Sequence, residues 1–404
     1  MKILTVLKRL LTRELTLQEF IFKLKGKSFK PKKEFNFISK ANLKIPFTHI
    51  LHTGENITGE SHLDLWLPVF IASKVKFLVI IRNKELFEKM LQKDLPIEIV
   101  YAKTQKAIDK LFQVLDTVQV CFYPSNTGNN LHLLKYNEVV HVFIGHGDSD
   151  KTASAHKYFR VYDENWVAGE AHIDRFRNAD FRFDGLKHVI VGRPNLRDIL
   201  EISKENWKTR FNGKMRLLYL STWEGVYKEQ DYTSAYMMSD FFKVLDKYHF
   251  FDVLNIKLHP RIGTRSEKLA NIHIKFKEIL NQKNLDFKIH EKTMPVEGLI
   301  KQANIFICDI SAVVSECLAA NAPIFVYIPK DKEIKLSKSK MRYEYYTYTF
   351  STIEELLSHF DRVILNQDDY LAKKREEAME YILGKDETLK DIFHKRLIAF
   401  EGKK

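Results

Sequence analysis

Cysteine is scarce here: three in 404 residues, Cys121, Cys308 and Cys317. That excludes a disulfide framework, and no spacing among the three suits a structural zinc site. Cys121 and Cys308 sit in strand-like apolar runs and Cys317 in a helix-like one, so they read as small core residues of a reduced, cytosolic protein. Glycine and proline are also few, 15 and 10. With no low-complexity tract and no repeat at a solenoid period, this is the composition of an ordered, non-repetitive chain. No apolar run has the length to span a bilayer. The N-terminus lacks the apolar core and small-residue cleavage site of a signal peptide, so the expected location is inside the cell.

What is present fills two domains. The chain is 45% hydrophobic and long enough for two cores of ordinary size. Its formal charge of +13 is unevenly spread. Between Lys2 and Lys33 there are ten Lys and Arg against two acids, Glu14 and Glu19. Ile3, Leu7, Leu10, Leu11 and Leu15 recur at helical spacing opposite Lys8, Arg9 and Arg13, which predicts a basic amphipathic helix. Such a helix lies on an anionic membrane surface or packs on its own domain with the basic face in water. No recognisable nucleic-acid-binding module accompanies it.

Downstream, strand-like and helix-like stretches alternate. Strands are expected at 47–51, 75–81, 97–101, 118–123, 139–144, 165–168 and 188–191, then at 216–220, 253–258, 287–290, 305–308 and 323–328, with helices between. Alternation of this kind argues for parallel sheets covered by helices, and Gly192-Arg-Pro194 interrupts it. The expectation is an α/β chain with a basic arm over 1–45, one Rossmann-like domain over 46–195 and a second over 196–365. Charged helices over 366–404 are placed to cross back to the first domain.

Chemistry is concentrated at strand ends. The apolar run Val139 to Ile144 stops at Gly145-His146-Gly147, where glycines permit a sharp turn and close approach of a ligand. Open α/β sheets bind ligands beyond the carboxyl ends of their strands, and a histidine there suits proton transfer near neutral pH. Another strand ends at His259-Pro260 with Lys257 and Arg261 beside it. A third runs into Asp309-Ile-Ser311, with Ser311 expected to cap a helix that carries Glu316 and to offer its first-turn N–H groups to a phosphate. The loop from His52 to His62 is a candidate on the acceptor side.

In order along the chain, Gly145-His-Gly147, Ser221-Thr-Trp223, Lys257-Leu-His-Pro260, Asp309-Ile-Ser311 and Pro323-Ile-Phe-Val-Tyr327 resemble the motifs of the CDP-glycerol glycerophosphotransferases of teichoic acid and capsule synthesis. The resemblance covers roughly 136–348. It implies a GT-B-like fold, two Rossmann-like lobes facing a central cleft. The implied reaction transfers glycerol phosphate or another polyol phosphate from a CDP-alcohol to a hydroxyl of a lipid-linked or polymeric glycan acceptor. CMP is released at the cytoplasmic face of the membrane. Carried onto this chain, His146 is the general base and His259 stabilises the donor pyrophosphate. Thr222, Arg261, Asp309, Ser311, Ala312 and Glu316 lie on the donor and phosphate side, and Gly145, Gly147, Asp148, Asp150 and Lys151 form the loop beside the base.

The chain departs from that pattern twice. His146-Gly-Asp-Ser-Asp-Lys151 stands where the family often has His-Gly-Thr-Pro-Leu-Lys-Lys, and Asp309-Ile-Ser-Ala312 where it often has Asp-Tyr-Ser-Ser. Ile310 and Ala312 thus remove two hydroxyls from the expected phosphate site, which leaves the polyol open. Asp148-Ser-Asp150 has the form of an Asp-x-Asp divalent-metal motif, but a turn in which both aspartates bond the backbone explains it as well. The sequence requires no metal and calls for no cofactor. A sugar-nucleotide glycosyltransferase or nucleotide-sugar epimerase of the same architecture is the alternative.

Overall fold

The structure is a computed structural model. It describes residues 37–147, 155–182, 184–225, 231–248, 251–283, 285–291, 294–331, 334, 336, 339–384 and 392–402. The basic helix expected within 1–36 lies outside the described residues, as do Asp148, Asp150 and Lys151.

The first lobe is built on eight strands. They are β1 (Ile38–Ser39), β2 (His49–Thr53), β3 (Phe77–Ile81), β4 (Glu98–Tyr101), β5 (Val120–Tyr123), β6 (Val140–Phe143), β7 (Glu164–Val167) and β8 (His188–Ile190). Their order across the sheet is β1-β4-β3-β2-β5-β6-β7-β8, and every pairing is parallel except the antiparallel edge pair β1–β4. The central strands are buried on both faces; β3 and β5 accordingly read as continuous apolar runs, whereas β2 buries His49, His52 and Thr53 among its apolar residues. Alternate residues serve opposite faces. Leu51, Val79, Val120, Phe122 and Val142 face a layer made by helices Gly59–Ser73 and Lys84–Leu91. Ile50, Leu78, Ile80, Cys121 and Tyr123 face helix Gln105–Phe112.

The second lobe is a parallel six-stranded sheet of β9 (Met215–Leu220), β10 (Phe251–Lys257), β11 (Phe287–His290), β12 (Ile305–Asp309), β13 (Ile324–Tyr327) and β14 (Tyr348–Phe350), in the order β11-β10-β9-β12-β13-β14. One hydrophobic cluster joins its two faces. Local chemistry starts several helices: Asn83, Thr104 and Thr352 each accept a hydrogen bond from the backbone N–H three residues on. The Tyr-rich segment divides into a turn of helix, Tyr343–Tyr346, and β14, and Tyr343, Tyr346 and Tyr348 are core residues.

The C-terminal helices bind the lobes together. Helix Ala372–Leu383 packs into the second core through Ala378, Ile382 and Leu383, while the Tyr381 hydroxyl donates to Asp174 of the first lobe at 2.6 Å. Helix Ile392–Ile398 then buries Phe393 and Leu397 in the first core, where Phe393 stacks on Trp66 at 5.2 Å. Among the described residues, no helix is long and apolar enough to cross a membrane.

Candidate active site

Strand order fixes where a ligand belongs. In an open parallel sheet the crevice opens where the order reverses, beyond the carboxyl ends of the strands. In the second lobe that point lies between β9 and β12, whose ends are Ser221-Thr222 and Asp309. In the first it lies between β2 and β5, and β6 with its Gly-His-Gly turn is the next strand.

That turn is held from three sides. Gly145 adopts φ +63°, a left-handed conformation that favours glycine, and its carbonyl accepts a 2.6 Å hydrogen bond from the Trp66 indole. His146 projects from the turn as an exposed side chain, with Nδ1 2.8 Å from the Pro124 carbonyl at the end of β5. A carbonyl only accepts, so Nδ1 carries the proton and the neutral ring's lone pair is on Nε2. The His146 ring also lies face to face with His62, centroids 3.7 Å apart and planes within 13°. Burial, and then the neighbouring His146, push the His62 pKa down to about 3, so His62 is neutral at physiological pH.

The second lobe meets this turn directly. A Cβ added at Gly147 would stand 2.8 Å from the Ala312 Cβ. The small cavity between the lobes is lined by Leu65, His146, Gly147, Arg193, Asn195, Leu196, Ser315 and Glu316. Glu316, in the first turn of helix Val313–Leu318, also acts with Glu297 on Lys257 at the end of β10. Burial lowers the Lys257 pKa, and the two carboxylates oppose that shift.

Asp309 is not turned toward a ligand. It is fully buried, and its carboxylate accepts from Thr222 N at 2.7 Å, Thr233 Oγ1 at 3.2 Å, Ser234 N at 3.0 Å and Ser234 Oγ. It joins the ends of β9 and β12 to the start of helix Ala235–Val244. Burial pushes its pKa up to about 6 although all these hydrogen bonds favour the charged form. Thr222 is itself buried. Two further expectations are corrected here. The side chain of Ser311 does not cap the helix: Ala312 occupies the cap position, and Ser311 Oγ donates back to the Asp309 carbonyl at 3.2 Å. Ile310 is fully buried in the second core, so its side chain removes nothing from a phosphate site. Of Ile310 and Ala312, Ala312 is the one at the cleft, in contact with Gly147.

His259 lies in the loop after β10, two residues beyond its end at Lys257. Its Nδ1 accepts from Arg261 N at 3.1 Å, and its own N–H donates to Ser221 Oγ at 3.2 Å. A backbone N–H only donates, so the lone pair is on Nδ1 and the proton on Nε2, the reverse of His146. The Arg261 guanidinium lies 3.8 Å from the Trp223 ring centroid, and the His259 ring is nearly parallel to that indole. The loop is tied down by Glu224, a buried carboxylate that accepts from the backbone N–H groups of Gly263, Arg265 and Ser266 at 3.0–3.2 Å.

The His146 turn thus meets Ala312 at Gly147, Asp309 holds Thr222, and Ser221 holds His259. Sequence reasoning missed Trp66, Arg193 and Glu224, and named His62 only as the end of a candidate acceptor-side loop. Glu224 had a signal, an acid directly after the Ser-Thr-Trp strand end; the others join the site through packing across long sequence separations. Among the described residues, no group of three or more His, Cys, Asp or Glu is placed to hold a metal ion.

No family model and no curated protein matches the sequence. Solved structures match its fold. The wall teichoic acid polymerase TagF superposes with a TM-score of 0.58 at 13% identity, over 88% of this chain and 89% of that one. A UDP-GlcNAc 2-epimerase from Neisseria meningitidis, solved with UDP-GlcNAc, gives 0.54 at 13% identity, over 87% and 99%. A glycosyltransferase from Rickettsia africae gives 0.50 at 13%, over 88% and 98%. The chain thus has the two-lobed GT-B fold, shared with a wall teichoic acid polymerase, a UDP-GlcNAc 2-epimerase and a glycosyltransferase.

Proposed function

We propose that this chain transfers a polyol phosphate, glycerol phosphate first, from a CDP-alcohol to a hydroxyl of a lipid-linked or polymeric glycan acceptor and releases CMP. The observation that carries the reading is the opposite tautomers of the two strand-end histidines. His146 offers a lone pair at Nε2, as a base for an attacking hydroxyl requires. His259 carries an N–H at Nε2, as a phosphate oxygen requires, and the Arg261 guanidinium lies on Trp223, the indole that the His259 ring parallels. In the reaction the acceptor proton passes to His146. The acceptor oxygen bonds to the phosphorus that bears the polyol, and the bond from that phosphorus to the bridging oxygen breaks. His259 and Arg261 balance the charge that develops on the departing CMP.

The order of motifs supports the cytidine donor, and the fold it implies agrees with the likeness to TagF. The basic segment 1–33 fits work at the inner membrane face, where Lys and Arg meet anionic lipids and a lipid-linked acceptor would be found. The setting that follows is synthesis of a teichoic-acid-like or capsule polymer.

A second reading, transfer of a sugar from a nucleotide sugar, draws on the likeness to the UDP-GlcNAc 2-epimerase. The released nucleotide separates the two, because attack at phosphorus frees a monophosphate and attack at a sugar carbon frees a diphosphate. Incubation with CDP-glycerol, CDP-ribitol and UDP-sugars in the presence of a hydroxyl-bearing acceptor should yield CMP from a cytidine donor. UDP release with no CMP would select the second reading.

A further inference from the structure

The first sheet has an opening at the end away from His146. There, by the amino ends of β5 and β6, a cavity of about 410 Å³ lies between helix Gln105–Phe112, the turn that follows it and the segment 135–139. Half-buried Phe112 and Val118 give it an apolar wall, and the Phe112 ring lies face to face with Tyr136, centroids 3.9 Å apart. Its rim is acidic. Asp109 is already engaged by Lys135 and by the Tyr136 hydroxyl at 2.7 Å, and these contacts hold its pKa down to about 2. Asp116 and Glu138 line the same cavity, are exposed and make no ion pair among the described residues. An apolar wall beside two uncompensated carboxylates fits a partner that is both apolar and cationic.

The chain carries such a partner. On the predicted amphipathic helix, Ile3, Leu7, Leu10, Leu11 and Leu15 form one stripe. Lys8 and Arg13 border that stripe on its two sides, where long side chains extend past an apolar contact to its rim. The arm also has the reach. Phe37, the first described residue, packs on the same core as Phe112, Val118 and Tyr136. It leads into β1, four strands from β5, and the cavity is at the other end of the strands, about 25 Å away. The 21 residues 16–36 cover about that span as a coil and roughly 70 Å when extended. A tether matched to its span raises the local concentration of its end, which favours the arm over an untethered partner of the same charge. We propose that the basic segment 1–15 docks in this cavity, its stripe against Phe112 and Val118 and its bordering cations over Asp116 and Glu138. The docking is independent of the reaction in the cleft. It also sets the arm a choice, because a stripe that fills the cavity cannot lie on an anionic membrane at the same time.

The test joins lysines to carboxylates directly. A zero-length carbodiimide on the full chain, followed by peptide mapping, should link Lys2 or Lys8 to Asp116 or Glu138. The yield should hold on about tenfold dilution of the protein, as an intramolecular contact requires. Leu7→Asn with Leu11→Asn keeps every lysine and should lower the yield about fivefold or more, because the stripe loses its apolar contact. Vesicles containing about half phosphatidylglycerol should lower it to a similar degree, and pure phosphatidylcholine should leave it unchanged. Links confined to the arm, or made mainly to other carboxylates of the body, would overturn the proposal. So would a yield that falls with dilution, the mark of docking on a second copy. A yield indifferent to the loss of Leu7 and Leu11 would show charge attraction alone and overturn the proposal as well. A yield unmoved by phosphatidylglycerol would overturn the choice between cavity and membrane.

Discussion

The two lobes end a central strand in similar ways and use the ends oppositely. After β6 the chain turns through Gly145 and exposes the side chain of His146, whose tautomer is set by a backbone carbonyl. After β12 the chain turns at Asp309 and buries the side chain completely, so that a carboxylate becomes the fastener between two strand ends and a helix start. The first turn presents a titratable group to the cleft; the second presents backbone and small residues. Position at a strand's carboxyl end says where a site is. Whether the side chain there is reagent or scaffold depends on which way it points and what satisfies it.

The comparison breaks most visibly at Asp309. Asp309→Ala would leave two buried backbone N–H groups and two hydroxyls without their acceptor, and we expect a loss of about 3–5 kcal/mol of stability, read by urea unfolding. A loss under about 1 kcal/mol would mean that Asp309 is not the fastener. Asp309→Asn adds a test of sign. The folded pKa of Asp309, about 6, stands above the ordinary value of 3.8, so its folded state holds a proton that the unfolded chain releases first. Its contribution is full below about pH 4 and is lost as pH rises through about 6. Relative to wild type, the Asn variant should therefore gain stability between pH 4 and pH 7, by about 2–3 kcal/mol at most. A difference that does not vary with pH would show that the carboxyl is not strained by burial.

At the other turn the expected effect is on rate. His146→Ala should lower CMP release by a hundredfold or more, about 2.7 kcal/mol in barrier, with melting temperature and cytidine nucleotide binding nearly unchanged. Near-normal turnover would leave the two turns alike, both of them scaffold.

The contrast also marks how far the sequence could be read. Alternation of apolar runs and helical periods located both sheets, because parallel strands buried on two faces are mostly apolar. It also located the Gly-His-Gly and His-Pro strand ends. Elements held by tertiary contacts were less legible. The two-residue β1 has no period of its own and exists only as the antiparallel partner of β4. The stretch 266–282 reads as one helix but is divided at Asn271 into Glu267–Ala270 and Ile272–Leu280. Ser311 looked like a cap because Ser before an apolar run usually is one; here its hydroxyl has the Asp309 carbonyl closer at hand. Ile310 looked like a change in a binding pocket because strand-end motifs are read as if every residue faced the ligand. In fact its neighbour Asp309 is fixed by Thr222 and Ser234, and Ile310 is left in the core. The stack of His62 on His146 joins residues more than 80 positions apart, and no local pattern encodes it.

The smallest effect belongs to the point where the turns touch. A Cβ at Gly147 would lie 2.8 Å from the Ala312 Cβ, whereas unbonded carbons rest about 3.5–4.0 Å apart. Gly147 is not in the left-handed region, so alanine can adopt its backbone without strain, and among the described residues the added methyl meets only Ala312. To relieve it, the lobes must separate locally by about 1 Å, and His146 moves with its turn. We expect Gly147→Ala to lower kcat about tenfold while leaving the melting temperature within a few degrees. Ala312→Gly removes the opposing carbon and should cost little alone. Combined with Gly147→Ala it should restore most of the rate, a coupling that appears only if the two residues act through one contact. If the double variant were as slow as Gly147→Ala, the methyl would be disturbing the His146 turn itself rather than the fit between lobes. Full activity in Gly147→Ala would show instead that turnover does not need the lobes to meet here.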